Sequence, residues 1–416
     1  MLLEFLRALN SGEKTPGELL EICLRRIAAA EPDIQAWVEV SPQAPLAGGL
    51  LDGIPFGVKD IFETAGIATE YGSAIYAGRK GVVDAPVVSG LRRTGAVLLG
   101  KTRTAAFACF DPAPTRNPRF PGHTPGGSSS GSAAAVAAGM VPFALGTQTL
   151  GSVLRPASYC GICGFKPSFG LLPFEGALPF APSLDTVGLF AATAADMAEL
   201  WSRGFGGRFV ADLHRAALLR TASPRVPAES PMRQAVAAAV ERLRARGVSV
   251  DEVPPPPGWD RLQSAAQTIN RYEGARSHRA RFEEFGERIG HKLANLVREG
   301  LGIAQAEYEE ARAHVEQMKV EISSIFWDYP VILTPAAAGP APAGLGSTGD
   351  PSHNAPWTAL GVPAISVPLP VPHGPLGVQV TAAWGRDDAL VAVAGELEEL
   401  VWGGPPGPRP TPSSAC

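Results

Sequence analysis

Cysteine, net charge and long apolar runs are all scarce in this sequence of 416 residues. Its five cysteines are too few, and odd in number, for a disulfide framework. Basic and acidic residues nearly cancel to a net charge of −4, which favours neither nucleic acid nor anionic lipid as a partner. The longest apolar run, residues 133–146, is too short for a membrane helix.

Near the start, Glu4 and Arg7 interrupt the apolar stretch that a signal peptide would need. We therefore expect a soluble, cytoplasmic protein with no membrane or nucleic-acid partner. The hydrophobic content of 45% is ample for a large core, and the 47 glycines and 40 prolines predict many shaped loops.

Short apolar segments alternate with helical patterns along the chain, which predicts an α/β fold. We expect a mixed, largely parallel β-sheet covered by helices on both faces. The predicted strands lie in residues 54–58, 96–100, 141–146, 331–333, 364–367 and 376–381, and residues 85–94 form one of the predicted helices.

One domain over residues 1–402 is the expected organisation. It begins with two N-terminal helices in residues 1–40, the second started by a capping box of Thr15 and Glu18. A core over residues 50–200 follows, then a helical excursion over 205–329, helical from Arg261 through Phe326, and a return to the sheet over 331–402. The Pro-, Gly- and Ser-rich residues 403–416 are predicted to be a disordered tail.

The most unusual segment is the run of small residues at 124–132, TPGGSSSGS, which leads into a helix-prone stretch. A phosphate-binding loop would end in Gly-Lys-Ser/Thr, and no lysine is present. Residues 127–131 match the G-x-S-x-G pattern of a nucleophile elbow centred on Ser129, but a Pro/Gly loop stands where that elbow needs a strand.

A second polar, Gly-containing turn at residues 146–156, GTQTLGSVLRP, follows at a fixed distance, and GIPFGVKD stands upstream at residues 53–60. Further matching segments are LPFAPSLDTVG at 178–188 and the stretch from residue 348 to residue 364. Together these segments resemble the amidase signature family, in its malonamidase-like, small-amide branch. The resemblance is dense over residues 50–200 and resumes at about 331–383.

The resemblance implies a Ser-Ser-Lys apparatus, with Ser152 as nucleophile, Lys59 as general base and Ser128 bridging them after a cis peptide bond. The chemistry is reasonable because a serine hydroxyl needs a base, and burial on an apolar strand lowers the pKa of a lysine. The resemblance also implies an oxyanion hole from the backbone N–H groups of Thr149, Leu150, Gly151 and Ser152.

Two residues depart from the family pattern: Leu150 stands where members commonly have glycine, and Gln148 where they often have aspartate. Either the turn keeps its path with an ordinary φ at Leu150, or the oxyanion hole is altered. Arg155 is expected to bind a substrate carboxylate, as in the malonamidase-like branch, or to pair with a structural carboxylate.

Three more residues are candidates for substrate contact: Gly127, Ser129 and His123. Cys160 and Cys163 have C-x-x-C spacing, but no second ligand pair follows, so we interpret them as core residues. No cofactor and no metal are implied.

The expected function is hydrolysis of a small linear amide through an acyl-enzyme, releasing ammonia or an amine, with a homodimer as the possible assembly. The alternative is the glutaminase component of a tRNA-dependent amidotransferase, which would hand ammonia to a partner; the short C-terminal half argues against it. A third hypothesis is a catalytically silent binding protein on the same scaffold.

Overall fold

The computed structural model describes residues 1–208, 213–220, 226–372 and 374–403. Within them an eleven-stranded sheet forms the centre of the molecule. Its strands in chain order are β1 Trp37–Gln43, β2 Pro55–Lys59, β3 Val97–Thr102, β4 Phe143–Gln148, β5 Cys163–Lys166, β6 Thr186–Ala191, β7 Arg215–Leu219, β8 Ser249–Val253, β9 Ile332–Pro335, β10 Ala364–Pro368 and β11 Gly377–Thr381.

The strands lie in the order β1-β3-β2-β4-β6-β5-β10-β11-β9-β7-β8. Strand β2 pairs in parallel with β3 and β4, and β7 with β8 and β9. The other six pairs are antiparallel. The predicted mixed α/β sheet is therefore confirmed, but its parallel pairs are the minority, because short connections such as that between β10 and β11 return the chain antiparallel.

Helices flank this sheet. They are α1 Leu2–Asn10, α2 Pro16–Ile34, α3 Pro86–Arg93, α4 Ser130–Ala137, α5 Leu154–Cys160, α6 Ala194–Phe205, α7 Ser230–Ala245, α8 Trp259–Phe285, α9 His291–Leu301, α10 Gln305–Asp328, α11 Ala355–Ala359 and α12 Asp387–Trp402. The predicted capping box starts α2: Thr15 Oγ1 accepts from the N–H of Glu18, and the Glu18 carboxylate accepts from the N–H of Thr15. No helix among the described residues is long and apolar enough to cross a membrane.

The segment predicted as a helical excursion, 205–329, differs from that prediction in two ways. It contributes β7 and β8 to the sheet, and its long helical stretch is divided into α8, α9 and α10. Gly290 and Gly302 lie at the two breaks, and glycine lowers helix propensity. The predicted tail, from residue 404 onward, lies outside the described residues.

The parallel pairing of β2 with β4 decides where the chemistry collects. Because parallel neighbours end at the same edge of a sheet, Lys59 at the end of β2 lies close to Thr147 near the end of β4. The chain then turns through residues 149–153 into α5, while α4 begins just after Ser128.

Candidate active site

Lys59 is fully buried at the end of β2. Its Nζ lies 2.8 Å from Ser128 Oγ and 2.8 Å from Thr147 Oγ1. Burial lowers the pKa of Lys59 to about 7, against an opposing effect of the Asp185 charge, which favours the ammonium. A lysine with this pKa is substantially neutral at neutral pH and is able to accept a proton.

The serine-rich loop brings Ser128 to this lysine. The peptide bond between Gly127 and Ser128 is cis, and the Gly127 carbonyl accepts a hydrogen bond from Arg155 Nη2 at 2.6 Å. Ser129 is turned into the core, where its Oγ donates to the Thr147 carbonyl and accepts from the Thr147 N–H. Gly127 and Ser129 thus hold the loop in place, and neither is among the residues that line the active-site cavity described below.

Ser152 lies in the turn between β4 and α5. Within the described residues its hydroxyl forms no hydrogen bond, and Ser128 is not bonded to it. The backbone N–H groups of Leu150, Gly151 and Ser152 likewise form none in the described part of the chain. Three unpaired donors beside a serine hydroxyl are the arrangement that binds a tetrahedral oxyanion, and apo hydrogen bonds between catalytic groups often form only with substrate bound.

The two departures from the family pattern hold this turn. Gln148 Oε1 accepts from the N–H groups of Val153 (2.9 Å) and Leu154 (3.1 Å), at the start of α5. Gln148 Nε2 donates to Thr358 Oγ1 at 2.9 Å, and that hydroxyl donates to the Leu150 carbonyl at 2.8 Å. Leu150 is not among the residues with positive φ, and its side chain is buried in the core. The turn therefore keeps an ordinary backbone path without glycine.

Asp185 is a member of the site that the sequence analysis did not single out. Its carboxylate accepts hydrogen bonds from Thr149 Oγ1 at 2.6 Å and from the N–H of Phe180 at 2.7 Å. These two bonds connect the turn at residues 149–153, called the oxyanion turn below, to the wall of the cavity. Burial raises its pKa to about 7. The available signal was its place in the segment 178–188, which matches the family.

A small cavity joins these groups. Its volume is about 330 Å³ with its mouth included. It is lined by Ala108, Cys109, Phe110, Ser128, Thr149, Leu150, Gly151, Ser152, Arg155, Phe180, Asn270, Thr348 and Pro351. The structure thus brings together Ser128, Ser152, the oxyanion turn and Arg155, with Lys59 behind Ser128.

Arg155 is 2% exposed and enters the cavity wall from α5. Its Nε donates to the Thr348 carbonyl at 2.7 Å and its Nη2 to Gly127. Its Nη1 is buried and has no hydrogen-bond partner among the described residues. Two backbone carbonyls therefore hold this guanidinium, and no carboxylate in the described chain forms a hydrogen bond with it. One guanidinium nitrogen, Nη1, has no partner in that part of the chain.

His123 lies elsewhere. Its ring stacks on Phe120 with a centroid distance of 3.6 Å, its Nδ1 lies 3.1 Å from the Pro121 carbonyl, and its backbone bridges to Ala343. It lines a separate depression with Arg116 and its neighbours, because the 116–125 loop folds away from Ser152. The structure therefore does not place His123 at the cavity.

Cys160 and Cys163 are both buried, and no disulfide bond joins them. Among the described residues no group of three potential metal-ligating side chains occurs.

The chain belongs to the family described as Amidase, which it matches over residues 18–206 and 212–391. Members hydrolyse carbon–nitrogen bonds, and this chain is such a hydrolase by family. It is 34% identical to the A subunit of the glutamyl-tRNA(Gln) amidotransferase of Chloroflexus aggregans, over 95% of this chain and 94% of that protein.

Two solved structures extend the comparison. One described as an amidase superposes with a TM-score of 0.86 at 29% identity, over 95% of this chain and 99% of the other. The peptide amidase of Stenotrophomonas maltophilia gives 0.79 at 25% identity, over 96% of both chains.

The relatives correct one expectation. They do not support the malonamidase-like branch, because curated proteins that match this chain over most of their length are amidotransferase A subunits. The match spans 94% of the Chloroflexus protein, so the likeness to an amidotransferase A subunit extends through the C-terminal half.

Proposed function

We propose that this protein is a serine amidase that releases ammonia from a small, carboxylate-bearing amide. The hydrogen bond between Lys59 Nζ and Ser128 Oγ, together with the shared cavity that Ser128 and Ser152 line, carries this proposal. A base of pKa about 7, a hydroxyl able to pass a proton, and a serine beside unpaired N–H groups are the parts that acyl transfer requires.

In the proposed mechanism neutral Lys59 takes the Ser128 proton while Ser128 takes that of Ser152. The Ser152 oxygen attacks the amide carbon, and the N–H groups of the turn stabilise the oxyanion. The proton returns through Ser128 to the leaving nitrogen, so ammonia departs and an ester remains. Water, deprotonated by the same route, cleaves the ester and restores Ser152.

Arg155 supplies the preference for a carboxylate. Its buried Nη1 has no hydrogen-bond partner among the described residues, and none of the residues that line the cavity is acidic, although the Asp350 charge acts on the guanidinium from outside that lining. A buried donor left unpaired is costly. A carboxylate on the acyl part satisfies it. Arg155→Lys should therefore weaken succinamate hydrolysis far more than hydrolysis of neutral butyramide, and an unchanged preference would remove this part of the proposal.

Labelling tests the central assignment. A fluorophosphonate should modify wild-type protein at Ser152, with loss of ammonia release, and should fail to label folded Ser152→Ala. Substitution of Ser129, the other serine in an elbow-like pattern, by alanine should leave the Ser152 adduct in place. An adduct on Ser129 would make Ser129 the nucleophile in place of Ser152, and no adduct on folded wild-type protein would support the catalytically silent alternative.

A second candidate is favoured by a specific observation: the relatives that match most of their length are named as components of an amidotransferase. Under this hypothesis the same Ser152 chemistry supplies ammonia to a partner protein, and glutamine is the amide. Affinity purification of the tagged chain from its native host tests this. A stoichiometric partner and a strong preference for glutamine would favour the amidotransferase component, whereas full activity of the isolated chain on several amides would favour the stand-alone enzyme.

A further inference from the structure

Asn270 is a polar cavity-lining residue whose side-chain amide has no hydrogen-bond partner in the described chain. It lies on α8 and is 4% exposed, and it lines the cavity together with Ser152 and Arg155. Its side-chain amide forms no hydrogen bond with any described residue.

Other buried asparagines show what such a side chain ordinarily does. Asn117 Nδ2 donates to the carbonyls of Thr124 and Tyr159. Asn354 Nδ2 donates to the Ala336 carbonyl and to a glutamine side chain. An asparagine that lines a cavity and has no hydrogen-bond partner in the described chain keeps its donor and acceptor for a group that enters the cavity.

The helix face that carries Asn270 is built to form this wall. Gly274, one turn further, lets Phe180 approach so closely that a Cβ there would meet its ring at 2.7 Å. His278, one more turn along, packs on the same ring with a centroid distance of 5.2 Å. Phe180 lines the cavity too, so α8 presents Asn270 at a fixed, tightly packed position.

We propose that Asn270 is a substrate-binding residue that recognises a second polar group on the acyl chain, in addition to the carboxylate held by Arg155. This inference rests on the proposed amidase function and names its substrate class: monoamides of short dicarboxylic acids that carry an amino or hydroxyl substituent.

The chemistry of the two side chains sets this class. A guanidinium only donates hydrogen bonds, so it selects a carboxylate, whereas an amide both donates and accepts and therefore pairs with an amino or hydroxyl group. The cavity, about 330 Å³ with its mouth included, lies at the small end of the range for ligand pockets and therefore suits a short acyl chain.

Binding to the Ser152→Ala protein tests the inference without turnover. Dissociation constants would be measured by calorimetry for two matched pairs, succinamate against L-asparagine and glutaramate against L-glutamine. Adding Asn270→Leu, which keeps a similar volume, should weaken L-asparagine or L-glutamine about ten-fold and change the unsubstituted partner less than about two-fold. Gln267→Leu on the same helix, which is outside the cavity lining, should change neither.

The ligand-free Tm of each variant guards against a structural explanation. Asn270→Leu should leave the Tm unchanged or raise it, because it removes an unpaired buried amide. Asn270→Ala gives a second, smaller substitution, and it should show the same selective loss of affinity.

Three results would overturn the inference: equal weakening of both members of a pair, no change in any dissociation constant, or no binding of either pair by folded Ser152→Ala. The proposed amidase function would stand or fall separately, on fluorophosphonate labelling of Ser152.

Discussion

Two lysines of this protein have nearly the same electrostatics and different surroundings. Lys59 ends β2 and Lys166 ends β5, and both are fully buried. Burial lowers the pKa of each to about 7, and in each case one carboxylate opposes the shift, Asp185 for Lys59 and Asp387 for Lys166. A pKa suited to general-base catalysis is therefore not confined to the candidate active site.

The two differ in what the amine contacts. Lys59 Nζ meets two hydroxyls, one of which lines the cavity with Ser152. Lys166 Nζ donates to the carbonyl of the next residue, Pro167, at 2.8 Å, and it is not among the cavity-lining residues. A carbonyl only accepts, whereas a hydroxyl accepts and donates, so only Lys59 has a neighbour through which a proton is able to pass. The lowered pKa of Lys59 is therefore useful for catalysis only because the Ser128 hydroxyl lies next to its amine.

The largest expected effect comes from replacing each lysine by methionine. Lys59→Met should lower kcat by about 10⁴-fold or more, as removal of a triad member does in serine hydrolases. Lys166→Met should leave kcat within about three-fold, because no proton path begins there. Ammonia release under saturating substrate measures both, with circular dichroism to confirm the fold.

A large loss of kcat in folded Lys166→Met would show that the comparison is wrong and that Lys166 takes part in catalysis. Retention of activity in Lys59→Met would remove the proposed base.

The sequence was a good guide to this site where local residue types decide the outcome. Matching segments located Lys59, Ser128, Ser152 and Arg155, and apolar runs located strands such as β2 and β4. Local sequence patterns could not predict contacts between segments that are distant in the chain. The Thr358 hydroxyl is 208 residues from the Leu150 carbonyl that it holds, and no local pattern marks Asn270 as a cavity residue.

The predictions from sequence that differ from the structure also concern contacts between distant segments. His123 is close in sequence to the serine-rich loop, but a Pro/Gly loop has no periodicity from which its direction could be read, and this one turns away. Strands β7 and β8 were missed because β7 joins the sheet only by pairing with β9, more than 110 residues further along the chain, and β8 joins it through β7.

The dependence of kcat/KM on pH is the next test that distinguishes Lys59 from Lys166. kcat/KM should rise about ten-fold per pH unit below about 7 and level off above it, because the Lys59 ammonium has no free pair to accept a proton. Lys166→Met should show the same limb, although Lys166 titrates in the same range. Initial rates at low substrate from pH 5 to 9 measure this.

The Asp185→Asn variant shows whether the rising limb of the kcat/KM profile reports the titration of Lys59 or of Asp185. The Asp185 charge favours the ammonium form of Lys59, so its removal should lower the Lys59 pKa and move the limb to lower pH. A limb that disappears in Asp185→Asn would instead belong to Asp185, whose own pKa burial raises to about 7.

A smaller effect is expected when neither lysine is touched and the oxyanion turn is loosened. Thr358→Val removes the hydroxyl that joins Gln148 to the Leu150 carbonyl. kcat should fall about ten-fold with KM nearly unchanged, since the N–H donors act mainly on the transition state. Thr381→Val is the matched control, because the Thr381 hydroxyl bonds the Ile332 carbonyl between β11 and β9. Equal effects of the two variants would reduce the role of Thr358 to general packing.

The smallest expected effect is on stability, and there the two lysines should behave alike. Each has a lower pKa in the fold than when exposed, so the unfolded chain binds more protons between about pH 7 and 10.5 and stability rises with pH across that window. Methionine in either place removes this dependence, so both variants should gain most in Tm over wild type near pH 6, with the gain shrinking toward pH 10. If only Lys166→Met gains, then hydrogen bonds to Ser128 and Thr147 compensate the buried amine of Lys59, and the hydroxyls that give it a proton path also reduce its cost to the fold.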